Sequence, residues 1–149
     1  MSKPRTGLHT AGPIGVGAKE YESLITTKSL TSEDNGKIFG LNLAGGFTVT
    51  LPSVAEAKSG WKARFRVETA PTTAYIVTEK ASDDTNIITG GFSSGELTDA
   101  AVAAYSAAFT QVNMVASAAV VGDWFTITCN GTRFYVEGHT NVQAGVTLT

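Results

Sequence analysis

Trp124-Phe125-Thr126-Ile127-Thr128-Cys129-Asn130-Gly131-Thr132-Arg133-Phe134-Tyr135-Val136-Glu137-Gly138 reads as two alternating runs around an Asn-Gly pair. Asn130-Gly131 supplies the residues that a two-residue type I′ turn needs at its positive-φ positions, so the stretch predicts a β-hairpin. Pairing Cys129 with Thr132 sets Ile127 opposite Phe134, Phe125 opposite Val136, Thr126 opposite Tyr135, Thr128 opposite Arg133 and Trp124 opposite Glu137. Phe125, Ile127, Cys129, Phe134 and Val136 then share the inward face, where Cys129 serves as a small buried hydrophobe. The outward face carries Trp124 and Tyr135, two large rings that a monomer leaves partly wet, which points to an interface.

The same alternation recurs on both sides of the hairpin. From Trp61 to Glu68, Trp61, Ala63, Phe65 and Val67 fall on one face and Lys62, Arg64, Arg66 and Glu68 on the other, as a half-buried strand requires. Tyr75 to Thr78, Asn86 to Thr89 (ended by Gly90-Gly91) and Phe109 to Ala116 read as further short strands. Phe39, Leu41 and Leu43, then Phe47, Val49 and Leu51, predict two strands around a Gly45-Gly46 turn. Tyr21 to Leu30 predicts another strand, followed by a turn through Lys37. Two helical pieces are expected: one turn between Ser53 and Gly60, and a helix over Glu96 to Phe109, where alanine and leucine favour it and Leu97, Ala101, Tyr105 and Ala108 fall near helical spacing. The glycines and prolines of the first 20 residues, with few large apolar side chains, predict an extended arm. The expected architecture is all-β: a small sandwich or barrel-like domain over residues 21–149 behind an amino-terminal arm at residues 1–20.

The chain has 149 residues, 11 basic and 13 acidic, for a net charge of −2. Charges of both signs are mixed, so the footprint of a nucleic-acid partner is missing and none is expected. No apolar run reaches the length of a membrane span, so no membrane partner is expected either. Low charge in so small a domain suits a protein made to assemble. One cysteine excludes an intramolecular disulfide and Cys-based zinc sites. His9 and His139, both placed in expected loops, lack metal-ligand spacing, no Gly-x-Ser-x-Gly elbow occurs, and neither an enzyme nor a cofactor is expected. Gly12-Pro13-Ile14-Gly15-Val16-Gly17 lacks the Gly-Lys-Ser/Thr ending of a phosphate loop. Asp83, Asp84 and Asn86 could hold Ca²⁺ but read rather as turn residues, as does the Asn130-Gly131-Thr132 sequon. The Lys62, Arg64, Arg66 stripe is either a solvated strand face or a dock for an acidic surface.

Five segments, taken in order, carry a resemblance: Leu30-Thr31 through Asn35-Gly36-Lys37, Gly45 to Pro52, Asn86 to Gly90, Val115 to Trp124, and Asn130 to Val136. They resemble small structural proteins of tailed bacteriophages, most of all head decoration (cement) proteins. The resemblance implies an all-β homotrimer, made in the host cytoplasm and seated on the outer capsid surface of the virion, at three-fold or quasi-three-fold positions of the major capsid protein. Family members often carry Asp-Gly-Thr-Asn-Trp at the last hairpin. Asn130-Gly131-Thr132-Arg133-Phe134 keeps the turn here and changes the ring. The candidate interface residues are Trp124, Tyr135, Lys62, Arg64 and Arg66, with Pro13, Ile14 and Val16 in the arm. The alternative is a tail- or head-fibre module, in which Trp124 and Tyr135 stack on the sugar rings of a host glycan.

Overall fold

The computed structural model describes residues 20–82, 86–96 and 102–149. Pro13, Ile14, Val16, Asp83 and Asp84 lie outside these residues. Twelve strands form among those described: β1 (Tyr21–Leu24), β2 (Lys28–Ser29), β3 (Ile38–Leu41), β4 (Thr48–Thr50), β5 (Lys62–Val67), β6 (Tyr75–Thr78), β7 (Ile88–Ser94), β8 (Val102–Phe109), β9 (Gln111–Met114), β10 (Trp124–Cys129), β11 (Phe134–Thr140) and β12 (Val146–Leu148). They make a seven-stranded sheet of order β1-β3-β5-β10-β11-β7-β8 and a five-stranded sheet of order β12-β9-β6-β4-β2. The fold is therefore all-β and sandwich-like, with one core cluster drawing on both sheets.

The first six strands enter the two sheets alternately. β1, β3 and β5 lie parallel in the larger sheet, and β2, β4 and β6 lie parallel in the smaller one. The chain thus winds around the core, and Gly45-Gly46 does not fold one strand back on its predecessor. Phe39 and Leu41 enter the core from one sheet, and Phe47 and Val49 from the other. Antiparallel strands end the winding on both layers, β10 against β5 and β9 against β6.

The terminal hairpin forms with a shifted register. Cys129 pairs with Phe134, Ile127 with Val136, Phe125 with Gly138 and Trp124 with His139, so the turn centres on Gly131-Thr132 and not on Asn130-Gly131. Gly131 has φ 96°, and Asn130 is not among the residues with positive φ. Glycine at the first central position is what a type II′ turn prefers. Asn130 is occupied otherwise: its Oδ1 accepts hydrogen bonds from Thr132 N, Thr132 Oγ1 and Arg133 N at 3.0, 3.0 and 2.8 Å. A shift of two residues preserves side-chain parity, and so Phe125, Ile127, Cys129, Phe134 and Val136 are all buried as expected.

Three other expectations change. Residues 102–109 of the expected Glu96–Phe109 helix form strand β8, because pairing with β7 overrides the helix preference of its alanines. β7 runs through Gly90-Gly91 to Ser94, and His139 lies within β11, not in a loop. The short helix that does form, α1 (Val54–Ala57), starts at Ser53, whose hydroxyl accepts from Glu56 N while the Glu56 carboxylate accepts from Ser53 N.

A row of rings crosses the inner face of the larger sheet. Phe39, Phe65 and Phe125 stand in register on β3, β5 and β10, with successive centroids 5.6 and 4.9 Å apart. On β11 the row meets Gly138, and Phe92 of β7 reaches over that glycine to within 5.6 Å of Phe125. Trp61 closes one side of the core, with its indole N–H donating to Thr31 O at 3.1 Å.

Candidate interaction face of the larger sheet

Strand parity that buries the phenylalanine row turns every other residue of the same strands outward. One outward row reads Tyr21, Ile38, Arg64, Thr126, Glu137, Gly91 and Tyr105. A second reads Ser23, Gly40, Arg66, Trp124, His139 and Ser93, and a third Lys62, Thr128, Tyr135 and Thr89. Lys62, Arg64, Arg66, Trp124 and Tyr135 therefore share one face, drawn from two segments far apart in the chain.

Arg64 lies diagonally against Trp124, with the guanidinium carbon 4.3 Å from the ring centroid. The contact holds the cation by a cation–π attraction and covers part of the indole. Tyr135 is 46% exposed. Between β3 and β5 the face dips into a shallow depression of about 210 Å³ bounded by Gly36, Lys37, Ile38, Lys62, Arg64 and Thr126.

The charges here are unevenly satisfied. Lys37 is neutralised by Asp34 at 2.9 Å, with Glu20 and Glu22 at 3.5 and 3.6 Å, and its pKa is raised, chiefly through its bond to Asp34. None of the ion pairs among the described residues includes Lys62, Arg64 or Arg66. The buried Nε of Arg64 has no hydrogen-bond partner among the described residues. Glu68, beyond Arg66 along the chain, is engaged by the Tyr21 and Ser23 hydroxyls.

Sequence reading missed several neighbours on this face. Tyr105, 69% exposed, was hidden by the helical reading of its segment, since parity assigns a face only once a strand is recognised. Ser93 and His139 meet with Oγ and Nδ1 2.9 Å apart. Arg133 donates to Thr89 Oγ1 at 2.7 Å and to Ala107 O at 3.2 Å, binding the hairpin to β7 and β8. Among the described residues, no group of three or more histidines, cysteines and carboxylates is placed to hold a metal ion, and no helix is long and apolar enough to cross a membrane. Comparison with models of known protein families, and with curated proteins, finds no match to this chain.

Proposed function

We propose that this chain is a structural protein of a tailed-phage virion, a decoration (cement) protein that binds the outer surface of the head as a homotrimer and stabilises the shell without catalysis. The observation that supports the reading best is the gathering of Lys62, Arg64, Arg66, Trp124 and Tyr135 on one sheet face, where the three cations have no carboxylate partner among the described residues. Such a face suits a wet, polar-rimmed contact with a large protein surface. An interface of roughly 1,600 Å² across neighbouring copies of the major capsid protein opposes their separation under internal pressure. Many equivalent copies multiply the effect, because a trimer links several shell subunits at once. The Arg64 guanidinium over Trp124 covers part of one of the two rings that the glycan-reading fibre module would stack on a sugar.

The test is a phage deleted for this chain. Cement function predicts virions that burst more readily under heat or chelator and adsorb normally, with the isolated protein a trimer by light scattering. Robust virions that adsorb poorly would overturn the reading in favour of the fibre module.

A further inference from the structure

We infer that the outer face of β5 is a linear acceptor site for an extended acidic segment of a partner protein, one that carries carboxylates at alternate positions, with Arg64 as its anchor. The inference deepens the decoration reading by naming the chemistry of the partner surface.

Lys62, Arg64 and Arg66 occupy positions i, i+2 and i+4 of one strand, with Ala63 and Phe65 buried between them and Val67 buried after them. A strand rises about 3.3 Å per residue, so the three cations stand roughly 6.6 Å apart along a line. An extended partner segment repeats its own side chains on one face at the same interval. Carboxylates at its alternate positions therefore meet the cations one for one, whereas consecutive carboxylates point to opposite sides.

Arg64 is the anchor for two reasons. Its guanidinium already rests on Trp124 at 4.3 Å, so it loses less freedom on binding than a free side chain does. None of the hydrogen bonds or ion pairs among the described residues engages its guanidinium, so its terminal nitrogens remain to take a carboxylate in a fork of charge-assisted bonds. The depression bounded by Gly36, Ile38, Lys62 and Thr126 gives that carboxylate room beside β5. Several of the described acids are engaged elsewhere. Asp34, Glu20 and Glu22 are held by Lys37, and Glu68 by Tyr21 and Ser23. Glu137 stands in the Arg64 row two strands away, beyond Thr126.

The probes are two capped heptapeptides of equal charge, Thr-Glu-Thr-Glu-Thr-Glu-Thr and its block isomer Thr-Thr-Glu-Glu-Glu-Thr-Thr, titrated into the full chain labelled with ¹⁵N. The alternating peptide is expected to shift the β5 amides and the Trp124 indole signal and to bind several-fold more tightly than its isomer. Arg64→Gln should weaken it about tenfold, with Arg64→Lys between the two. An unchanged spectrum elsewhere in each variant shows that it has folded. Equal binding of both peptides, indifference to Arg64→Gln, or the same shifts produced by a neutral oligosaccharide would overturn the inference. The outcome is independent of the deletion phage: a stable virion without this chain would sink the decoration reading and leave the peptide result standing, and the reverse holds equally.

Discussion

Gly138 shows how much one hydrogen atom can decide. A Cβ there would lie 2.4 Å from Phe92 Cε1 and 2.6 Å from Trp124 O, so only glycine lets the Phe92 ring cross β11 to reach Phe125. Gly138→Ala should cost about 2–3 kcal/mol by overpacking, read from the midpoint of urea unfolding. In a Phe92→Ala background the ring clash is gone while the backbone clash with Trp124 O persists, so a double-mutant cycle should return part of that cost. Full additivity would show that the ring does not dictate the glycine. Alternation places Phe125 inward, as found, but Gly138 reads in the sequence only as the end of a hairpin. A glycine that makes room for a ring on another strand leaves no periodic signal, since its reason lies across the sheet.

At the scale of elements, the legible features were those whose cause is local. Parity of β5 and β10 follows from alternation, and the turn expected between Ser53 and Gly60 forms at Val54–Ala57, where the structure adds a Ser53/Glu56 capping box. The 3₁₀ turn at Ser32–Asp34 is a comparable local unit and yields a pH prediction. Burial on its own would raise the pKa of Asp34. The Thr31 N–H bond and the charges of Lys37 and Lys28 outweigh it, and the value lies below the ordinary 3.8. A folded-state pKa below the unfolded one contributes stability that is complete above the unfolded value and disappears as pH falls through the folded value. Asp34→Asn keeps an acceptor for Thr31 N–H but loses Lys37, and should cost about 1 kcal/mol at neutral pH. Stability measured against pH should show the wild type and Asp34→Asn converging as pH falls through the folded-state value, below the ordinary 3.8. A constant offset down to the lowest pH would assign the cost to packing alone. β8 departs from the expected helix because alanine preference is local, whereas its pairing with β7 is not.

For the whole molecule, period-2 patterning identified strands but not their partners, and the winding of β1 to β6 between two sheets lay beyond it. Phe39–Leu41 and Phe47–Leu51 alternate identically whether they pair in a hairpin or face each other across a core. The arrangement found has a kinetic consequence. β1–β3, β3–β5 and β4–β6 are parallel pairs joined by excursions through the opposite sheet, and Phe65 pairs with Phe125 from the other half of the chain. Closure entropy must be met before these pairings contribute, so folding should be slow for a domain of this size, in about the millisecond-to-second range. Strands β1 to β6 alternate between the layers, and one core joins the two sheets, so neither sheet can be removed without unwinding the other. Equilibrium unfolding is therefore expected to be a single transition. Trp61, buried in the core, and Trp124, on the outer face, lie at different depths of the sandwich. In single-tryptophan variants, Trp61→Phe and Trp124→Phe, each compared with circular dichroism of the same variant, fluorescence and circular dichroism should give coincident midpoints. Separate midpoints would mean that the parallel winding and its antiparallel cover fold as independent units.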